Sequence, residues 1–312
     1  MLTVTLLGTA ATLPRPDRAL SCAVFSVSGR SILLDCGEGT QLALHRWHVN
    51  PMRVDLVALT HYHGDHILGL PGFLQTLSTM DRTQPLYITG PEESHEPILA
   101  AILALADELP YPVHFLPMPA EGLELHQLNP KWPLEATLTA FPTMHRIPSQ
   151  GYRLHVGRMR RLYTDKAAAM GIPRHLWRVL QSGRSITLAG RDIRPSSVCE
   201  PERPGLAAVF TGDTAPSEDV LTAARDADLL IMDATYAKEQ YADKAALYGH
   251  STFAQTAALA SAAGVKRLWL THYSAMITDP QEHLPAAREL FPRAECGLDG
   301  MSLTLTFREG EM

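Results

Sequence analysis

The chain has 312 residues, with 27 Lys and Arg against 33 Asp and Glu, and a formal charge of −6 that argues against coating nucleic acid by bulk charge. With 46% apolar and 19% charged residues it is neither disordered nor fibrous, and it is long enough for one large α/β domain or two ordinary ones. Cys22, Cys36, Cys199 and Cys296 stand alone with no CxxC pair, which fits reduced thiols in a cytoplasmic protein, while 14 histidines are an excess that asks for an explanation.

Strand-like and helix-like runs alternate from the start. Leu2–Leu7, Ala23–Val27 and Ile32–Leu34 are short apolar runs separated by Gly, Pro and Ser, as hairpin strands should be. A short helix is predicted over Gly39–Arg46, a buried strand over Leu56–Thr60, a helix over Leu68–Thr79 and a strand over Leu86–Thr89. Pro97 can open a helix that Ile98–Glu108 continues until Pro110. Its apolar run, Ile98–Ala106, is the longest in the chain and far short of the roughly 20 residues of a membrane span. Nor do basic residues precede the apolar start of the chain, so no signal peptide is expected. Strands are then predicted at Val113–Leu116, Leu123–Leu128, Leu134–Phe141 and Tyr152–Val156. The second half repeats the order. Strands at Ala207–Phe210, Leu229–Met232, Arg267–Leu270 and Ser302–Phe307 alternate with helices at Ser217–Ala224, Thr252–Ala263 and Leu284–Leu290. Two such halves predict an αββα sandwich: two mixed sheets face to face, helices outside, in a single domain over residues 1–312.

Residues 158–205 break the pattern, being rich in Arg, Gly and Pro, and read as an inserted arm. Within Arg158–Arg184, seven cations (Arg158, Arg160, Arg161, Lys166, Arg174, Arg178, Arg184) face one anion, Asp165. A solvated loop and an electrostatic grip on an anionic partner are both compatible with that count.

The chemistry begins at Thr60-His61-Tyr62-His63-Gly64-Asp65-His66, directly after a strand. Three imidazoles and a carboxylate so close together are a donor set for zinc or a similar divalent ion, and the end of a strand is where α/β sheets place their sites. One loop cannot close around two metals, so further ligands must come from afar. His145, Asp213 and His272 each follow a predicted strand, on what would be one rim of the sandwich.

These residues, with Leu6-Leu7-Gly8-Thr9, Leu34–Gln41, Gly69–Gly72, Gly151-Tyr152-Arg153, Thr211–Thr214, His250-Ser251-Thr252 and Leu270-Thr271-His272, run through the whole chain. In them the sequence resembles the metallo-β-lactamase-fold hydrolases and, within these, the ribonuclease Z family of tRNA 3′-processing endonucleases. The resemblance implies two zinc ions per subunit, with Mn2+ or another divalent ion as alternatives. His61, His63 and His145 would hold one, Asp65, His66 and His272 the other, and Asp213 would bridge them. It also implies that Asp65 handles the nucleophile's proton, that His250 serves the leaving oxygen, and that Asp35 braces the histidine loop. Precursor tRNA as substrate and a homodimer, with the arm of one subunit serving the other's site, follow from the same resemblance. The remaining eight histidines (His45, His48, His95, His114, His126, His155, His175, His283) show no ligand spacing and are expected to be ordinary.

Three departures stand out, the first implying weaker or differently arranged proton delivery to the leaving group and the other two bearing on the substrate. Met232-Asp233-Ala234-Thr235 stands where the family carries His-Glu-Ala-Thr, so Asp233 takes the place of the supporting Glu with one methylene fewer. Pro14-Arg15-Pro16-Asp17-Arg18-Ala19 keeps Arg15 and Arg18 as candidate RNA contacts but not the family's Pro-x-Lys-x-Arg-Asn. The arm's tip, Gly171–Trp177, lacks a Gly-Pro, leaving Arg174 and Arg178 as its candidate RNA contacts, with Trp177 either stacking on a base or packing the arm. A phosphodiesterase of the same fold acting on a small or cyclic-nucleotide substrate, a metal-containing RNA-binding protein, and a thioester hydrolase are the rival readings.

Overall fold

The computed structural model describes residues 1–106 and 108–307. Strands β1 (Leu2–Gly8), β2 (Cys22–Val27) and β3 (Arg30–Leu34) form an antiparallel meander. The chain then winds through α1 (Thr40–Arg46), β4 (Val54–Ala58), the single turn α2 (Gly64–Ile67), α3 (Leu70–Thr79), β5 (Leu86–Thr89), α4 (His95–Ala106) and β6 (Val113–Phe115). Strands β4, β5 and β6 extend the sheet in parallel from β3. The second sheet opens with an antiparallel meander of β7 (Leu123–Glu124), β8 (Ala136–Pro142) and β9 (Gln150–Arg158). The arm follows, with α5 (Thr164–Ala169), α6 (Arg174–Gln181) and the hairpin of β10 (Ile186–Leu188) and β11 (Arg191–Ile193). β12 (Arg203–Phe210) returns antiparallel to β9, and α7 (Glu218–Ala224) leads to β13 (Leu229–Asp233). Helices α8 (Ala242–Tyr248) and α9 (Phe253–Ala262), strand β14 (Leu268–Thr271), α10 (Leu284–Leu290) and β15 (Ala294–Cys296) complete the parallel half. The last strand, β16 (Ser302–Leu305), crosses back to pair with β1 in the first sheet.

Side-chain alternation sets the layers. Val4, Leu6, Phe25, Ile32 and Leu56 of one sheet meet Leu154, Ala208, Leu229, Ile231 and Trp269 of the other in the central core. The residues between them face outward: Leu33, Val57 and Ile88 under α3, and Leu230, Met232 and Leu268 under α9. The αββα sandwich is therefore present. The split is not between sequence halves, since the first sheet recruits β16 and the second begins with β7.

Several boundaries move. The strand expected over Leu123–Leu128 stops at Glu124 and turns through Leu125–Gln127, because its partner β8 starts at Ala136 and offers no ladder beyond it. The strand expected over Leu56–Thr60 runs Val54–Ala58, which frees Thr60 for the site. The helix expected over Ile98–Glu108 begins at His95, and its Asp107 lies outside the described residues, as do 308–312 of the expected single domain. Helices α2 and α8 and strand β15 are too short to stand out as periodic runs. Among the described residues no helix is long and apolar enough to cross a membrane.

The arm is an insertion with a small core of its own, Ala167, Ile172, Leu180, Ile186, Ile193 and Val198. It occupies 159–202, because β9 and β12 already pair at Arg158 and Arg203. Its bare charge count overstates it. Arg160, Arg161 and Arg184 pair with Glu202, Glu200 and Glu124, while Arg174 and Arg178 stay exposed. Trp177 packs into the arm core and donates to the Ile172 carbonyl at 2.9 Å, with Arg174 lying over its ring.

Candidate active site

Six of the seven candidate ligands leave the C-terminal end of a parallel-paired strand on one rim: His61, His63, Asp65 and His66 after β4, Asp213 after β12, and His272 after β14. Only His145 comes from the turn between two antiparallel strands, β8 and β9. Three side chains converge on one oxygen of Asp213. His61 Nε2 is 3.7 Å from Asp213 Oδ2 and His145 Nε2 3.9 Å from it, while His63 Nδ1 lies 3.0 Å from His61 Nε2 and 3.1 Å from His145 Nε2. The other Asp213 oxygen faces a second set. His272 Nε2 is 3.1 Å and His66 Nε2 3.3 Å from Oδ1, and each lies within 3.7 Å of Asp65 Oδ2. Two triads thus share one carboxylate, which presents one oxygen to each.

Asp213 Oδ1, His66 Nε2 and His272 Nε2 are buried without a hydrogen-bond partner. Leaving such atoms unpaired costs about 1–3 kcal/mol apiece, which a cation at their common point would remove. Ligand nitrogens on a tetrahedral zinc lie about 3.3 Å apart, close to the spacings within the first triad. The residues present fit a pair of divalent ions.

The surrounding hydrogen bonds aim the rings. His66 Nδ1 donates to Asp35 Oδ2 at 2.7 Å, and Asp35, in the left-handed region at φ 57, also accepts from the amide and hydroxyl of Thr60. His61 Nδ1 meets Thr60 Oγ1 at 3.0 Å, His145 Nδ1 meets the Gly249 carbonyl at 2.9 Å, and His272 Nδ1 meets Thr235 Oγ1 at 2.9 Å. Such partners fix which nitrogen is offered to a metal. Gly69 lets the histidine loop lie against the Asp35 turn, since a Cβ there would stand 2.1 Å from the Gly37 carbonyl oxygen. Burial pushes His61, His63 and His145 down, toward the neutral form a ligand needs. Burial opposes charge on His66 as well, but the Asp213 and Asp35 carboxylates outweigh it and hold that ring well above the usual imidazole range. Asp213 is the mirror case: burial favours its neutral form, and His272, His66 and His61 hold it well below the usual carboxylate range.

His250 lies beside the shared carboxylate, 3.9 Å from Asp213 Oδ2, and its Nδ1 donates to Asp233 Oδ2 at 2.7 Å. Burial alone would lower its pKa, yet the Asp233 carboxylate pushes it up to about 9. Asp213, Asp233, His250 and His272 also cluster closely enough to hold an ion. Both Asp233 oxygens are already occupied, however, Oδ1 by the amide and hydroxyl of Thr235 and Oδ2 by His250 and the Thr214 amide. The shorter carboxylate therefore reaches His250. Met232 faces the opposite way, into the apolar layer under α9, so its departure from the family pattern does not touch the site.

Residues 16–145 match the metallo-beta-lactamase superfamily and residues 196–273 the beta-lactamase superfamily domain. The chain is 36% identical over 313 residues to the ribonuclease Z of Lachnoclostridium phytofermentans, covering all of both chains. It is likewise 36% identical over 310 residues to that of Agathobacter rectalis, covering 99% of this chain and 100% of the other. The chain belongs to the ribonuclease Z family. Its structure also superimposes on human tRNase Z, short form, with a TM-score of 0.68 and 25% identity, over 98% of this chain and 100% of the other. As a ribonuclease Z family member it is a metal-dependent hydrolase of phosphodiester bonds.

Within this ribonuclease Z frame the arginines expected to meet RNA separate. Arg18 is buried at 4% exposure, lying over Tyr273 and donating to the Ile277 carbonyl, so it braces the 14–19 loop and is withdrawn from RNA contact. A tight turn bonds Arg15 to Arg18 in both directions, and the Arg18 side chain packs on the distant 273–277 segment. Arg15 remains partly exposed, tied to Asp17 and the Ala275 carbonyl. Thr12, Thr60 and Thr235 were not legible as site residues. Thr12, at φ 59, donates its backbone amide to Asp65 Oδ2 at 2.7 Å. A cavity of about 750 Å3, lined by Phe141, Arg146, Gln150 and Met118 among others, opens beside His145. None of the eight remaining histidines joins a metal-holding cluster among the described residues.

Proposed function

We propose that the chain is an endoribonuclease that removes the 3′ trailer from precursor tRNA, uses two zinc ions and leaves a 3′-hydroxyl on the tRNA. The observation that carries the reading is the shared carboxylate, Asp213, with one oxygen turned to each triad. His61, His63 and His145 would hold one divalent ion and Asp65, His66 and His272 the other, with Asp213 offered to both, and the pair would supply a water of lowered pKa and charge neutralisation at the phosphate. The chain's own residues do the rest. Burial raises Asp65, but His272 and His66 outweigh it and hold its carboxyl low, so Asp65 orients the attacking water's proton and is a weak base. His250, carrying a proton at neutral pH, delivers it from Nε2 to the departing O3′, and Asp233, accepting from Nδ1, orients the ring and favours its protonated form. Asp35 keeps His66 Nε2 aimed at the metal position. Four buried free thiols support a reducing compartment, the cytoplasm.

The geometry of the arm supports a homodimer. β9 and β12 carry the metal rim at one end (Gln150, Phe210) and the arm at the other (Arg158, Arg203). Eight or nine residues of strand put the arm's root roughly 25 Å from its own metal centre, so its exposed Arg174 and Arg178 are better placed to hold RNA for a partner's site, with Arg15 meeting the RNA near the centre. The burial of Arg18 and the ion-paired arm cations favour a second reading, a small phosphodiester as substrate. One experiment separates them. Replacing 159–202 by a short turn should leave a small chromogenic phosphodiester turned over within about threefold, yet lower pre-tRNA cleavage about a hundredfold, as loss of several phosphate contacts does. Mixing that variant with His63→Ala should restore pre-tRNA cleavage, because the mixed dimer pairs an intact centre with an intact arm. No restoration would contradict the dimer, and unchanged pre-tRNA cleavage by the deletion would contradict the arm's role.

A further inference from the structure

On the His250 side of the centre stands a cluster that the metal chemistry does not use. The His145 Nδ1–Gly249 bond lays the segments around 145 and 249 side by side, which brings Arg146 against Tyr248. The Arg146 guanidinium lies 5.1 Å from the Tyr248 ring centroid, and both side chains are exposed, Tyr248 at 37%. Next to them Lys244 Nζ lies 5.6 Å from the Tyr236 ring, whose own centroid is 6.3 Å from the His250 ring. Neither Arg146 nor Lys244 makes an ion pair with the described residues. An exposed aromatic ring under a free guanidinium, one residue from a metal-site histidine, offers stacking and charge at once, the combination that holds unpaired nucleotides.

The chemistry says which nucleotide. In the displacement, oxygen of water bonds to phosphorus, the P–O3′ bond breaks, and the proton from His250 goes to O3′. The nucleotide that ends at O3′ is the last one retained by the tRNA, and it must lie on the His250 side. We propose that Arg146 and Tyr248 form a stacking platform for the base immediately 5′ of the cut, which positions O3′ against His250. The proposal rests on the tRNA reading above. Stacking is tolerant of base identity, so this platform recognises an unpaired base in that place and not a sequence.

The test is a two-by-two comparison of single-turnover cleavage: unsubstituted protein and Tyr248→Ala, each on pre-tRNA with a normal or an abasic nucleotide 5′ of the cut. Tyr248→Ala is expected to lower kcat/KM on normal pre-tRNA about ten- to a hundredfold. The abasic substrate should cost the unsubstituted protein a similar factor and cost Tyr248→Ala no further loss. Tyr248→Phe, which keeps the ring, should stay within about threefold, and turnover of a small chromogenic phosphodiester should be the same in all three proteins. Equal discrimination against the abasic substrate by the unsubstituted protein and Tyr248→Ala would overturn the platform alone. Failure of the unsubstituted protein to cleave any pre-tRNA, with the small diester still hydrolysed, would overturn the substrate reading and the platform with it.

Discussion

Asp213→Ala is expected to abolish phosphodiester turnover, by on the order of 10³–10⁴-fold or more, and to strip the chain of most of its metal. The magnitude follows from what one carboxylate serves. It presents an oxygen to each triad, so its loss removes a ligand from both positions and the negative charge that offsets three buried imidazoles. Several kcal/mol of charge stabilisation corresponds to at least that fall in rate. Asp35→Ala sets the scale for comparison. It leaves every ligand in place but unfastens His66, so metal affinity should fall by about 10–100-fold and activity should return as metal is added. Metal content after dialysis, measured alongside turnover of a chromogenic phosphodiester, checks both. An Asp213→Ala chain that retained two ions and activity within tenfold would remove the bridging role.

His250→Ala should lower kcat about 10²–10⁴-fold while leaving metal content unchanged, because the ring sits beside the ligands without completing either triad. Asp233→Asn is the informative companion. The carboxylate holds His250 up to about 9, so the imidazole is protonated at neutral pH and able to give its proton to the leaving oxygen. Removing that negative charge lowers the His250 pKa, the protonated fraction falls off at a lower pH, and the alkaline limb of the kcat profile should move toward acid. A substrate whose leaving alcohol needs no proton, such as a nitrophenolate, should be hydrolysed almost as well by both variants as by the unsubstituted protein. Equal losses on both kinds of substrate would argue that His250 stabilises the phosphate and does not deliver a proton.

Much of this site is legible in the sequence because its metal chemistry demands residue types at fixed places. His61, His63, Asp65 and His66 advertise themselves by spacing, and His145, Asp213 and His272 by following strands. What sequence reading misses is set by contacts between distant segments. Thr12 reaches Asp65 across 53 residues and Gly249 reaches His145 across 104, through backbone groups that carry no sequence signal at all. Arg18 looks like a substrate contact because a cation in a loop is usually solvated, and only its packing on Tyr273 and Ile277, the latter 259 residues on, buries it. The departure at Met232-Asp233 looks like one defect in proton delivery. Strand alternation separates it into an apolar residue under α9 and a carboxylate on the catalytic side.

Cleavage of precursor tRNA at a metal centre built on Asp213 is checked by incubating zinc- or manganese-loaded protein with end-labelled pre-tRNA and mapping both ends of the cut. A single cut is expected after the nucleotide that follows the acceptor stem, with a 3′-hydroxyl on the tRNA, a 5′-phosphate on the trailer, and no product from His63→Ala. Scattered cuts, a 3′-phosphate, or hydrolysis of small diesters with the pre-tRNA left intact would contradict that reading.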